Sequence, residues 1–134
     1  MSSYLIVDGY NLIHKWPKLV DAKNKSIEFA RDELFHAIQR FCDFEGCKGT
    51  IVYDGSSPER SIEESSPTVI YSSKKESADT IIESLAYKLT SGSNPVKVVT
   101  DDRMITNMVI GMGAFVTSTT NFLSEIERER FSRF

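Results

Sequence analysis

The chain has 134 residues, 40% of them hydrophobic and 26% charged, which suits a single soluble globular domain (residues 1–134) able to bury a real core. No stretch approaches the length of a membrane span and no basic n-region precedes the first apolar run, so the cytosol is the expected compartment. A net charge of −3 argues against strong general affinity for nucleic acid: any RNA binding must use local basic patches, with a partner such as a ribosome delivering the substrate.

The elements follow in order. Residues 4–7 read as a strand. From residue 26 to about 44 the apolar spacing is helical, with Ile27, Ala30, Leu34, Ile38 and Phe41 on one face, Ser26 as N-cap and Gly46 as terminator. Residues 50–53 form a second strand. A polar stretch bounded by Pro58 and Pro67 reads as a loop, and residues 69–71 as a short third strand. Ser73 and Glu76 have the spacing of a capping box, which predicts a helix opening at 74–77 and running through Ile81, Ile82, Leu85, Ala86 and Leu89. Residues 96–100 are a fourth strand. Asp101 or Asp102 caps a helix carrying Met104, Ile105, Met108 and Val109, which Gly111 and Gly113 break. Residues 114–117 are a fifth strand. A last helix runs from about 120, with Phe122, Leu123, Ile126 and Phe131 as its apolar points.

Strands alternating with helices predict an α/β fold: a three-layer α/β/α arrangement around a mainly parallel five-stranded sheet. The runs 4–7, 50–53 and 96–100 are nearly unbroken apolar segments, as central strands should be. No convincing helix links the second and third strands, which leaves a hairpin open there.

Three strands end in aspartate: Val7-Asp8, Tyr53-Asp54 and Thr100-Asp101-Asp102, while Asp79 lies early in the helix after the third strand. In a parallel sheet all of these lie on one rim. That carboxyl edge is where open α/β sheets bind ligands, at the point where strand order reverses. Singly, each aspartate suits a turn or a helix cap. Together, crowded carboxylates raise one another's pKa unless a cation neutralises them. Oxygen ligands without His or Cys suit Mg²⁺ or Mn²⁺, and such ions support phosphodiester hydrolysis without a nucleophilic side chain. The sequence has no GxSxG elbow and no phosphate-binding GxxxxGK[ST] loop, and Gly111-Met112-Gly113 lacks the third glycine of a dinucleotide fingerprint. Cys42 and Cys47 read as reduced thiols, because no further Cys or nearby His completes a zinc site.

Val7-Asp8-Gly9-Tyr10-Asn11-Leu12-Ile13, with Trp16-Pro17 following, resembles the opening motif of the YacP-like NYN-domain proteins. Glu76-Ser77-Ala78-Asp79 resembles their central acidic motif, and Val98-Val99-Thr100-Asp101-Asp102 their fourth-strand motif. Gly113-Ala114 and Leu123-Ser124-Glu125-Ile126 also fit, so the resemblance covers most of the chain. It implies a PIN-like sheet of order 3-2-1-4-5 and a Mg²⁺- or Mn²⁺-dependent endoribonuclease acting on single-stranded RNA. It also implies Asp8, Asp79 and Asp102 as metal carboxylates and Asn11 as an orienting residue. Asp54 or Asp101 would support them from behind; Glu76 is a further supporting candidate, although its spacing reads first as a capping box. Asp101 departs from the Ser usual in that motif and adds a charge at the metal site.

Several other residues carry a surface or packing reading beside a functional one. Glu83 follows Asp79 by one helical turn and is read as surface. Lys15, Lys18, Lys74, Lys75 and Arg103 adjoin the acidic motifs and are candidate phosphate contacts. Tyr10 and Trp16 are candidates for stacking on bases, Trp16 equally for covering the core edge. The main alternative is a non-catalytic RNA- or ribosome-binding module of the same fold. A small-molecule phosphohydrolase ranks last, since Asp8-Gly9-Tyr10 lacks the second aspartate of an Asp-x-Asp nucleophile motif.

Overall fold

A computed structural model describes residues 3–132, with side chains described to residue 129. The chain runs β1 (Ser3–Asp8), α1 (Gly9–Lys15), α2 (Pro17–Lys25), α3 (Ile27–Glu45), β2 (Cys47–Tyr53), β3 (Ser61–Glu63) and β4 (Thr68–Tyr71). It continues through α4 (Ala78–Thr90), β5 (Val96–Val99), α5 (Arg103–Gly111), β6 (Phe115–Thr117) and α6 (Thr119–Ser132). Among these residues no helix is long and apolar enough to cross a membrane.

The sheet order is β3-β4-β2-β1-β5-β6. The five strands read from the sequence are β1, β2, β4, β5 and β6; all pair in parallel and lie in the expected order 3-2-1-4-5. The sixth strand, β3, corrects the loop reading. It is the edge strand and pairs antiparallel with β4, so the link from β2 to β4 holds a hairpin where a crossover helix would otherwise stand. Every β3 residue is exposed, so no apolar run betrays it.

Side-chain alternation divides the core between the two faces of the sheet. Leu5, Val7, Ile51 and Val99 pack against residues of α1, α2, α3 and α6, such as Leu12, Leu19, Leu34 and Phe122. Ile6, Val52, Ile70 and Val98 pack against Ile81 and Ile82 of α4 and Ile105 and Val109 of α5. Ile6 and Val7 are wholly buried on opposite faces, as the central strand of a covered sheet requires.

Residues 9–25, to which the sequence pattern assigns no element, form two short helices. Asp8 caps the first and Pro17 opens the second at the position where a missing N–H costs nothing. Their buried residues Leu12, Ile13, Leu19 and Ala22 are few and interleaved with lysines, so the helical period is hidden. Trp16 joins them between the helices and is a core residue, 7% exposed. The fourth helix also begins later than the capping-box spacing predicts. Ser77 is its N-cap, accepting from the Thr80 N–H at 3.3 Å. Glu76 instead closes the preceding turn by accepting from the Ser73 N–H at 3.1 Å. The side chain of Phe131 lies outside the described residues.

Candidate active site

The reversal of strand order in the sheet falls between β1 and β5, and the parallel register brings the carboxyl ends of β1, β2, β4 and β5 to one rim. Asp8 ends β1. It is 8% exposed, and its Oδ1 accepts from the Asn11 N–H at 3.3 Å. Burial pushes its carboxyl up to about 6, and the negative charges of Asp79, Asp54 and Asp101 push the same way, against the lowering effect of the Asn11 bond. Asp79, in the first turn of α4, is also raised, first by desolvation and then by Asp102, Asp54 and Glu83. These charges tie the rim aspartates into one electrostatic neighbourhood, with Asp54 acting on both Asp8 and Asp79. Glu83 belongs to it: the residue is half-buried and acts on Asp79, which the surface reading missed although the helical spacing pointed to it.

Most of the carboxylates also have local work. Asp102 caps α5, its Oδ1 accepting from the Met104 and Ile105 N–H groups at 2.8 and 3.1 Å. Buried Thr100 holds that turn, its Oγ1 accepting from the Asp102 N–H at 3.1 Å. Asp54 Oδ1 accepts from the Ala78 N–H at 2.7 Å, tying the end of β2 to the start of α4. Asp101 gives both oxygens to Thr119, accepting from its N–H at 2.9 Å and its hydroxyl at 2.6 Å. Among the described residues no hydrogen bond engages Asp79, which is half-buried. Asn11 spans the crevice, its Oδ1 accepting from the Asp101 N–H at 3.3 Å while its own N–H serves Asp8.

Among the described residues no three acidic, His or Cys side chains enclose a metal-sized volume in the observed rotamers, because backbone N–H groups hold most of the carboxylates. The donor chemistry nevertheless fits a hard divalent cation. All of the donors are carboxylate oxygens, and the surplus negative charge that raises Asp8 and Asp79 is what such an ion neutralises.

Other residues singled out from the sequence are less uniformly placed. Glu76 turns away to Arg60, which it meets at 2.7 and 3.1 Å, and this pair holds its carboxyl near 2; it does not figure among the charges acting on Asp8 or Asp79. Lys18 faces Glu33 at 3.9 Å and lies over the Trp16 ring, on the α2–α3 side. Lys74, Lys75 and Arg103 are exposed beside the rim, and Lys15 is exposed at the far end of α1; none of the four has a carboxylate within ion-pair distance among the described residues. Tyr10 packs on the buried Tyr53 ring with centroids 4.7 Å apart, and its hydroxyl accepts from Arg31 at 3.0 Å. Arg31 had no signal in the sequence, because it sits on a long amphipathic helix among ordinary surface charges.

The sequence profile of the YacP-like NYN domain matches residues 5–133. The chain is 33% identical over 126 residues to the uncharacterized protein YacP of Bacillus subtilis (strain 168), covering 92% of this chain and 74% of that one. It is similar in structure to Rae1 (YacP) from Bacillus subtilis. The crystal structure of the W164L mutant superposes with a TM-score of 0.81 at 32% identity, covering 98% of this chain and 79% of that one. A second crystal structure of Rae1 gives a TM-score of 0.80 at the same identity, covering 98% and 78%. The parallel sheet, the acidic rim and the motifs that build it thus have one source: the chain belongs to the YacP-like NYN domain family, a nuclease-type family.

Proposed function

We propose that this protein is a metal-dependent endoribonuclease that cleaves single-stranded RNA, messenger RNA included, in the cytoplasm, with residues 1–134 acting as one domain. The observation that carries this reading is the gathering of Asp8, Asp79 and Asp102 at the strand-order reversal, with Asp8 and Asp79 both held above the usual carboxylate range, first by burial and then by neighbouring carboxylates. Mg²⁺ or Mn²⁺ bound there would polarise the scissile phosphodiester and lower the pKa of water.

The protein's own residues do the rest. Asp8, buried and fixed by the Asn11 N–H, would hold the ion from a fixed position. Asp79, unrestrained by any hydrogen bond among the described residues, would supply a second carboxylate to the ion. Asp102 presents its carboxylate from the cap of α5, and Asn11 holds the β5–α5 turn that carries it. Asp54 and Glu83 act at one remove, supplying negative potential. Asp101 is assigned the same supporting role, since Thr119 occupies both of its oxygens. Lys74, Lys75 and Arg103 receive the phosphate backbone, offsetting its repulsion from the rim. With a net charge of −3, a ribosome or other carrier is the expected source of substrate.

A second reading, a non-catalytic RNA- or ribosome-binding module, draws support from the carboxylates that serve as helix caps. RNA affinity that rises when Asp8 and Asp79 are neutralised, without cleavage, would favour it. The nuclease reading is tested by chelation: cleavage of single-stranded RNA in Mn²⁺ should stop in EDTA and return on adding the ion back. Full activity in EDTA contradicts it.

A further inference from the structure

Beside the acidic rim lies an open cavity of about 480 Å³, lined by Tyr10, Arg31 and Tyr71 as well as Asp54, Glu59 and Ser72. Asp54 thus belongs both to the rim and to this cavity. Behind the cavity the tyrosines form a tier. The buried Tyr53 ring stacks on Tyr71 at 5.3 Å and packs on Tyr10 at 4.7 Å, while Tyr10 and Tyr71 remain half-exposed. Arg31 lies over the Tyr71 ring at 5.8 Å and donates to the Tyr10 hydroxyl at 3.0 Å. Among the described residues it meets no carboxylate at ion-pair distance.

A cavity with these walls is selective. A phosphate would gain from Arg31 but be repelled by Asp54 and Glu59. A purely apolar group would leave the guanidinium unmatched. A nucleobase meets all the walls at once: its flat face can lie on the Arg31 guanidinium plane and against the half-exposed Tyr10 and Tyr71, its ring acceptors suit the guanidinium N–H groups, and its amino or imino donors suit the carboxylates. The geometry points to a nucleobase subsite formed by Tyr10, Arg31 and Tyr71, which seats one base of a single-stranded RNA next to the cut. This inference rests on the reading of RNA as substrate and adds where one base is held. Arg31 and Tyr71 are binding residues, with no part in the chemistry.

The test separates base from phosphate and binding from cleavage. The full chain, labelled with ¹⁵N and held in EDTA, is titrated with the four ribonucleoside 5′-monophosphates and with ribose 5-phosphate. At least one of the nucleotides should shift the Arg31 Nε–H signal and the amides of Gly55, Ser56 and Ser57, and ribose 5-phosphate should not. Arg31→Met, which keeps the aliphatic stem, and Tyr71→Ala should each weaken that binding about tenfold, the scale of one lost base–aromatic contact. In the cleavage assay the same variants should raise KM for RNA and spare kcat. Equal shifts with ribose 5-phosphate, or none at these positions with any nucleotide, would overturn the subsite. Nucleotide binding here with no cleavage of RNA, whether free or ribosome-bound, would keep the subsite and remove the nuclease reading. Cleavage with an unchanged KM in both variants would keep the nuclease and remove the subsite.

Discussion

Asp8 sets stability against chemistry. Its carboxyl titrates at about 6 in the folded chain, above the ordinary value of 3.8, so between those values the folded state binds the proton more tightly than the unfolded state. Stability therefore falls as pH rises through that window and is not regained at pH 7. In EDTA at pH 7, Asp8→Asn keeps the Asn11 bond, removes the buried charge and should stabilise the fold by about 2–3 kcal/mol, while near pH 4 the gain should vanish. Urea denaturation at both pH values measures this, and an Asn variant less stable than the parent at pH 7 contradicts it. The neighbouring glycine has a reason that no turn rule reveals. A Cβ on Gly9 would sit 2.3 Å from Cε1 of Tyr53, whose ring is wedged between Tyr10 and Tyr71. Gly9→Ala should cost about 1–3 kcal/mol, read by the same denaturation. The sequence marks Gly9 as part of a motif but is silent on the distant ring that demands it.

At the scale of elements, what could be read depended on how much of each segment is buried. The runs at β1, β2 and β5 announce themselves because both faces are covered. Exposed β3 and the lysine-interleaved α1 and α2 leave no such pattern. Glu76 shows a subtler failure: its bond to the Ser73 N–H is half of a capping box, but the turn it closes precedes the helix. Asp101 was readable as part of the acidic rim, whereas its hold on Thr119 depends on α6 returning to β5, a contact that spacing alone does not encode. Asp101→Ala should unlatch the start of α6 and cost about 1–2 kcal/mol. Hydrogen exchange should then speed up in the first turn of α6 and remain unchanged in α3; equal protection in both proteins contradicts the latch.

For the molecule as a whole, the rim was legible because parallel strands must align their ends, so aspartates at the ends of separate apolar runs converge on one edge. The Tyr10–Arg31–Tyr71 cavity was not, since its walls come from α1, α3 and β4, which only the fold brings together. The charge distribution carries its own expectation. An acidic chain that binds RNA through a few exposed cations should show a shallow salt dependence. Replacing both Lys74 and Lys75 by Ala should weaken RNA binding evenly across sequences and lower the salt slope by about 1–2; an unchanged slope places the phosphate contacts elsewhere.

The central claim is that the carboxylates of the rim cut RNA through a bound divalent ion. The most direct measurement follows end-labelled single-stranded RNA with Mn²⁺, comparing the purified protein with Asp79→Asn. This half-buried position makes no hydrogen bond among the described residues, so its substitution leaves the fold undisturbed. The account predicts internal cuts by the parent protein and none by the folded variant. Undiminished cutting by Asp79→Asn would contradict it.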